Sequence, residues 1–300
     1  MDLKHKRLIV IIGPTAVGKT EVAIKVAEHF KTEIISADSR QFFKELTIGT
    51  AKPNEEELNR VPHHFINSHA ITVEYDAAQY AAEALDLIYL LFEKYDYLVV
   101  CGGSGLYIKA LLEGFDDIPE VPDNIRDEVI AQYEKNGLTW LQKKLEELDP
   151  AYWQKVDQQN PARLMRALEV VMATGKSISS FQTKQKQQLP FRVVKIGLEL
   201  DRELLYKRID ARMEEMITKG LFEEAKAMYP YRHHQALQTV GYKEIFDFLD
   251  GRYDREEAVR LLKRNTRRYA KRQFTWFKRD EEINWIEPDQ WELIVDLANK

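Results

Sequence analysis

The chain has 300 residues, of which 44% are hydrophobic and 31% charged, and its formal net charge is −5 at pH 7. These proportions are typical of a globular protein with one large domain, or with a core and a second smaller unit. No apolar run approaches the roughly 20 residues of a membrane-spanning helix, so no membrane segment is expected. A single cysteine, Cys101, excludes an internal disulfide and a cysteine-rich zinc site.

The first hundred residues alternate between strand and helix patterns. Short apolar runs predict strands at Leu8–Ile12, Glu33–Ala37 and Tyr97–Cys101. Helical periodicity predicts helices at Glu21–Phe30, Asp76–Glu93 and about 106–112. This alternation is typical of a parallel sheet with helices on both faces. The short basic amino terminus runs directly into the first strand, so we expect no secretory signal.

The pattern changes after the segment FDDIPEVPD at 115–123. Periodicity predicts helices and no strand from 118 to 189, and Asn160-Pro161 is typical of a helix start. The segment Phe191–Leu200 again has a strand pattern, and helices are predicted from Arg202 to about Lys278. The helical segment therefore interrupts an α/β fold.

The fold class that follows is a phosphate-loop NTPase-like parallel sheet with an all-helical insertion and a helical carboxyl-terminal region. We expect the core at 1–117 and 190–300, and the insertion at 118–189.

The segment GPTAVGKT, at 13–20, has the spacing of a phosphate-binding loop. Gly13 and Gly18 let the backbone approach an anion, so that loop N–H groups and the helix N-terminus face its oxygens. Lys19 supplies a positive charge, and Thr20 offers a hydroxyl to Mg²⁺. The pattern indicates a bound phosphate but leaves open whether that phosphate belongs to ATP.

The acidic residues near this loop bear on which reaction it serves. The third strand ends in CGGSG, without the carboxylate that a hydrolase would use there to hold Mg²⁺. Asp38, in EIISADSRQFF, follows the second strand, and carboxyl ends of neighbouring strands meet at the ligand crevice. Asp38 is therefore a candidate general base, the alternative being a turn or helix-cap aspartate.

A strongly basic segment lies near the carboxyl terminus. The sequence AVRLLKRNTRRYAKRQFTWFKR, at 258–279, contains nine basic residues and no acidic one. Several of them recur at helical spacing on one side, and aromatic residues are interleaved. This composition suits a phosphate backbone with stacked, unpaired bases, although a solvated helix face with buried aromatics would look the same.

Taken together, these motifs resemble those of one family, the tRNA dimethylallyltransferases, also called tRNA isopentenyltransferases. The resemblance covers nearly the whole chain and rests on six segments in the family's order. These are GPTAVGKT (13–20), DSRQFFKELTIGTAKP (38–53), GGSGLYIKALLEG (102–114), RLMRALEV (163–170), VGYKE (240–244) and KRQFTWFKR (271–279).

The resemblance implies transfer of a prenyl group from dimethylallyl diphosphate to the exocyclic amine of an adenine beside the tRNA anticodon. Asp38 would be the general base, Thr20 would bind Mg²⁺, and Arg212 would contact the diphosphate. The diphosphate would be held by the loop residues Gly13, Pro14, Thr15, Ala16, Val17, Gly18, Lys19 and Thr20.

The same resemblance implies that the helical insertion grips the tRNA anticodon stem-loop and that the target base is flipped into a channel. The implied tRNA contacts are Asp38, Ser39, Arg40, Gln41, Ser104, Arg126, Ala162, Arg163, Leu164, Met165, Arg166, Gln238, Thr239, Val240, Gly241, Tyr242, Lys243, Lys271, Arg272, Gln273 and Lys278.

The departures from the family pattern are small. Ser104 stands where threonine is usual and keeps the hydroxyl, whereas Phe43 stands where tyrosine is usual and loses one. Eukaryotic relatives carry a carboxyl-terminal zinc finger, and the single cysteine favours the bacterial type without it. We expect a cytoplasmic monomer.

Three other functions remain open at the level of motifs. A phosphate-loop small-molecule kinase would use ATP on the loop and Asp38 as base, but it leaves the insertion and the basic segment unexplained. An adenylate isopentenyltransferase would perform the same chemistry on a free nucleotide and needs no RNA-binding insertion. An RNA-binding module with a vestigial loop conflicts with the intact Lys19, Thr20 and Asp38.

Overall fold

The computed structural model describes residues 3–116, 118–182 and 186–300. The chain divides into two compact units. We name Met1–Leu112 with Gln188–Lys300 the core unit, and Glu113–Gln187 the helical unit.

The core unit contains a parallel sheet, which confirms the predicted fold class. Over the described residues its six strands are β1 (Arg7–Ile12), β2 (Ile34–Ser36), β3 (His63–His64), β4 (Tyr97–Gly102), β5 (Arg192–Leu198) and β6 (Asn284–Ile286). Their order in the sheet is β3-β2-β4-β1-β5-β6, and every pairing is parallel. The two edge strands were not predicted, because two or three residues of mixed polarity carry no periodic signal.

The helices follow the predicted pattern except for α2 and α12, which were not predicted. They are α1 (Lys19–Phe30), α2 (Glu55–Arg60), α3 (Ala77–Leu91), α4 (Gly105–Glu113), α5 (Asp123–Leu148), α6 (Pro150–Trp153), α7 (Pro161–Thr174), α8 (Arg202–Thr218), α9 (Leu221–Met228), α10 (Lys243–Leu249), α11 (Arg255–Phe277) and α12 (Glu292–Asn299). Across the three described ranges, no helix is both long and apolar enough to cross a membrane.

Two apolar layers enclose the sheet because successive strand residues point to opposite faces. On β1, Leu8 and Val10 belong to one buried cluster, and Ile9 and Ile11 belong to the other. The first cluster packs against α3 and the helices near the carboxyl terminus, and the second packs against α1 and α12. This burial on both faces explains why β1 reads as a continuous apolar run.

The helical unit has an apolar core of its own. Leu141 and Leu145 of α5 are fully buried with Leu164 and Leu168 of α7. The side chain of Asn160 accepts the N–H of Arg163 at 3.2 Å and caps α7, which confirms the predicted helix start.

Candidate active site

The phosphate loop connects β1 to α1 at the carboxyl end of the sheet. Gly18 has φ of +107° at the N-cap of α1, a left-handed conformation that favours glycine. At Gly13 a Cβ would lie 2.8 Å from the carbonyl oxygen of Leu198 on β5. Backbone geometry and close packing therefore both require the glycines of the motif, and the loop presents the start of α1 to an anion.

Side chains from two distant helices hold this loop. The guanidinium of Arg212, on α8, donates a hydrogen bond to the hydroxyl of Thr15. Arg208, one turn earlier, donates to the carbonyl of Val17 at 3.4 Å. From α11, the side-chain carbonyl of Gln273 accepts the N–H of Thr15 at 2.8 Å. Arg208 was not among the predicted site residues, although its i, i+4 spacing from Arg212 places both on one helix face.

The loop lysine is partly buried. Its Nζ donates to the carbonyl of Pro14 at 2.8 Å. Burial lowers the pKa of Lys19 to about 8, with Cys101 and Asp38 opposing the shift and Arg212 adding to it. A phosphate oxygen could replace the Pro14 carbonyl and would favour the charged ammonium.

Asp38 follows β2, which β4 separates from β1. One carboxylate oxygen of Asp38 accepts the N–H of Arg40 at 3.0 Å, so the turn role proposed as the alternative is real. The same carboxylate lines a cavity with Thr15 and Arg212. Its charge also opposes the burial that lowers the pKa of Arg212. The two interpretations of Asp38 are thus compatible.

The cavity is small, about 80 Å³, and has two chemically different parts. Thr15, Asp38 and Arg212 give it polar and charged groups. Its apolar wall is formed by Met213, Met216, Leu221 and Val240, and a further wall by the loop Gly49, Thr50 and Ala51. The arrangement suits a ligand with an anionic head and a short apolar tail.

A second, more open cavity of about 310 Å³ shares Arg40, Thr239 and Tyr269 with the first. Ser104 lines it, and its hydroxyl accepts the N–H of Ser39 at 2.9 Å. Burial raises the pKa of Tyr269, as does the charge of Asp38, so its hydroxyl stays protonated. Tyr269 borders both cavities. It is one of the aromatic residues interleaved in the basic segment at 258–279, and it was not among the predicted site residues.

The basic segment folds as part of α11, but its charges do not form a single stripe. Lys263 and Arg267 pair with Glu214 and Asp210 of α8. Arg260 pairs with Glu257, and Lys278 pairs with Glu199 at 2.9 Å. Arg268, Lys271 and Arg272 are exposed and form no ion pair within the described ranges. Acidic partners, two of them on α8 and distant in sequence, thus divide the predicted basic stripe into a paired and a free face.

The residues predicted to contact tRNA differ in exposure. In the core unit Lys243, Lys271 and Arg272 are exposed, and in the helical unit Arg126, Ala162 and Arg163 are exposed. Leu164 is fully buried in the core of the helical unit, Tyr242 is fully buried in the core unit, and Gln273 is 7% exposed. The side chains of Leu164 and Tyr242 therefore pack within the protein, whereas Gln273, although nearly buried, still lines the second cavity.

Gln273 is a structural link between two loops. Besides accepting from Thr15, it donates through Nε2 to the carbonyl of Gly103 at 2.9 Å. A Cβ on Gly103 would lie 2.4 Å from that nitrogen. The glycines after β4 therefore give α11 room to approach the phosphate loop.

A family model described as IPP transferase matches residues 41–280. The tRNA dimethylallyltransferase of Cytophaga hutchinsonii is 50% identical over 97% of this chain and 95% of its own length. That of Christiangramia forsetii is 52% identical over 94% of each chain.

Two solved structures are also similar. The full-length tRNA isopentenylpyrophosphate transferase of Bacillus halodurans has a TM-score of 0.71 and 36% identity, with 98% of this chain and 95% of that chain covered. A eukaryotic dimethylallyltransferase acting on tRNA has a TM-score of 0.79 and 27% identity, with 97% and 77% covered.

Proposed function

Because the chain belongs to the IPP transferase family, we propose that it transfers a dimethylallyl group from dimethylallyl diphosphate to the exocyclic amine of an adenosine adjacent to the tRNA anticodon. The observation that carries this proposal is the cavity that Asp38 lines together with Thr15 of the phosphate loop, Arg212 and a group of apolar side chains. A diphosphate head and a five-carbon tail match these two parts.

In this proposal the phosphate loop and Arg212 hold the leaving group. The adenine nitrogen forms a bond to the first carbon of the prenyl group as the bond from that carbon to the diphosphate oxygen breaks. Asp38 accepts the proton that the nitrogen loses. Lys19 and Arg212 stabilise the negative charge that develops on the departing diphosphate. No water is activated, which agrees with the absence of a carboxylate at the end of β4.

The residues present also fit a bound Mg²⁺. The structure gives no cluster of three or more histidine, cysteine, aspartate or glutamate residues arranged for a metal within the described part of the chain. Mg²⁺ commonly keeps several waters and binds through substrate phosphates and few protein ligands. The hydroxyl of Thr20, in the first turn of α1, would be such a ligand. The ion would supply charge neutralisation on the diphosphate.

The tRNA would contact both units in this proposal. Arg268, Lys271 and Arg272 would neutralise backbone phosphates, and Arg126 and Arg163 of the helical unit would contact the anticodon stem-loop. The target adenine would leave the base stack to reach Asp38. We further propose that the protein is a monomer, because one chain supplies all of these groups, and that it is cytoplasmic.

Product mass spectrometry tests the proposed function. The protein is incubated with unmodified tRNA, Mg²⁺ and dimethylallyl diphosphate, in parallel with ATP replacing the prenyl donor and with AMP replacing tRNA. We expect one added prenyl group on an anticodon-loop adenosine, and only with tRNA.

The other two arms identify the alternatives. Prenylation of AMP alone would identify an adenylate isopentenyltransferase. Consumption of ATP with a small acceptor, and no prenyl transfer, would identify a kinase.

A further inference from the structure

The carboxylate of Glu224, on α9, accepts hydrogen bonds from the backbone of a loop that is far away in sequence. It accepts the N–H groups of Thr47, Ile48 and Gly49 at 3.0, 2.8 and 2.9 Å. Three successive N–H groups that point at one anion form a concave nest, here filled by the protein's own side chain. Hydrogen bonds to a charged acceptor are among the stronger ones in proteins, so this loop conformation is held firmly.

Tyr242 completes the arrangement. Its hydroxyl donates to the same carboxylate at 2.6 Å, and its ring is fully buried. Burial raises the pKa of Tyr242, and Glu224 raises it further, so the phenol remains a donor at neutral pH. The ring also packs on the loop, because a Cβ on Gly49 would lie 2.7 Å from it. Glu224 therefore joins Tyr242, in the segment predicted to contact tRNA, to the loop at 47–49.

The loop that Glu224 holds forms a wall of the small cavity. Gly49, Thr50 and Ala51 line it, whereas Glu224 itself does not. On its other side the loop is held by Gln41, whose Nε2 donates to the carbonyls of Thr50 and Ala51 at 3.2 Å each. Glu224 thus holds the loop up to Gly49, the first residue of this wall, and Gln41 holds the carbonyls of the next two residues.

We propose that Glu224 is a positioning residue for the prenyl donor: by holding the loop at 47–49, its carboxylate sets the position of Gly49, the first residue of the wall at 49–51, and so the shape of the cavity that takes the apolar tail. This inference rests on the proposed function, because it takes the occupant of the cavity to be dimethylallyl diphosphate. The diphosphate head is held by the phosphate loop and Arg212, neither of which Glu224 contacts. Loss of the carboxylate should therefore weaken binding of the tail more than binding of the head.

The experiment compares Glu224→Gln with Glu223→Gln. Both variants lose one negative charge at adjacent positions of α9, but the side chain of Glu223 is exposed and forms no hydrogen bond or ion pair in the described structure. An amide has one acceptor oxygen and would turn an NH₂ group toward backbone N–H groups. We expect Glu224→Gln to raise the KM and the Kd for dimethylallyl diphosphate at least tenfold, while the Kd for inorganic diphosphate and for tRNA changes less than threefold.

Tyr242→Phe provides a milder second variant, since it removes only one hydrogen bond, and it should raise the same KM a few-fold. Thermal unfolding of each variant checks that it is folded. A lower kcat with an unchanged donor KM and Kd would overturn the inference, because a general loss of folded enzyme has that signature. An equal increase in the Kd for inorganic diphosphate would also overturn the inference. If the wild-type protein binds inorganic diphosphate but not dimethylallyl diphosphate, that result contradicts the proposed function. The inference on Glu224 then falls as well, because it takes dimethylallyl diphosphate as the ligand.

Discussion

At the scale of single residues, Asp38 combines a local and a chemical role. One of its oxygens fixes the turn after β2 through the N–H of Arg40, and the carboxylate lines the cavity beside Arg212. A turn bond of this kind needs only an acceptor oxygen, whereas proton transfer needs a carboxylate. The two roles can therefore be separated by substitution.

Asp38→Asn keeps an acceptor for the N–H of Arg40 and removes the base. We expect prenyl transfer to fall by about 10²–10⁴-fold, the usual contribution of general acid–base catalysis. The affinity for tRNA should stay within a few-fold of wild type. Single-turnover rates and filter binding measure the two quantities, and a large loss of tRNA affinity would mean that Asp38 mainly binds the base.

At the scale of secondary structure, α11 has two faces with different electrostatic roles. Lys263 and Arg267 face acidic residues of α8, and their charges are largely compensated. Arg268, Lys271 and Arg272 face solvent. Only uncompensated cations release counterions fully when a nucleic acid binds, so the free face should account for the salt dependence of tRNA binding.

We expect Arg268→Gln and Arg272→Gln each to weaken tRNA binding and to reduce the slope of log K against log salt by roughly 0.7–0.9. Lys263→Gln, in the same helix but paired with Glu214, should leave the slope nearly unchanged. Affinity titrations at several salt concentrations compare the three variants. Equal slopes in all three would contradict the division into two faces.

The edge strand β3 shows how a short element depends on a side-chain anchor. Burial alone would raise the pKa of Glu33, but hydrogen bonds from His64 on β3 and from Tyr95 outweigh it and lower the pKa. The His64 ring nitrogen lies 2.5 Å from the carboxylate. A carboxylate with a lowered pKa stabilises the fold above its ordinary value of 4.5 and loses that contribution as pH falls through the native pKa.

Glu33→Gln should therefore destabilise the protein at pH 7, and its difference from wild type should shrink below pH 4.5. Urea unfolding from pH 3 to pH 7 measures this difference. A gap that is independent of pH would show that the ionised carboxylate contributes nothing beyond its hydrogen bonds.

At the scale of the whole molecule, the two units have separate apolar cores. The chain enters and leaves the helical unit at adjacent points, since the N–H of Gln187 donates to the carbonyl of Glu113 at 2.9 Å. A unit with its own core and neighbouring ends resembles an inserted domain, which folds largely independently of its host.

Replacement of residues 114–186 by a short Gly-Ser linker should therefore leave a folded core unit. We expect this variant to bind inorganic diphosphate like the full chain and to lose at least tenfold in tRNA affinity. Calorimetry measures the binding of inorganic diphosphate, and filter binding measures the affinity for tRNA. Undiminished tRNA binding would remove the helical unit from the proposed interface.

The sequence by itself determined the elements with strong local signals. Four strands, the phosphate loop, the position of Asp38 and the cap at Asn160 all follow from periodicity or from contacts between near neighbours in the chain. Six segments in one order also identified the family.

The tertiary structure decided the contacts between residues that are far apart in sequence. In the packed fold, β4 lies between β1 and β2. Arg208 and Gln273 form hydrogen bonds with the phosphate loop, and the carboxylate of Glu224 accepts N–H groups of the loop at 47–49. No local pattern predicts such contacts. The hydrogen bond between Thr15 and Gln273 joins residues that are 258 positions apart. Its chemistry is the same as that of a bond between near neighbours in the chain, but only the packed fold brings these two residues together.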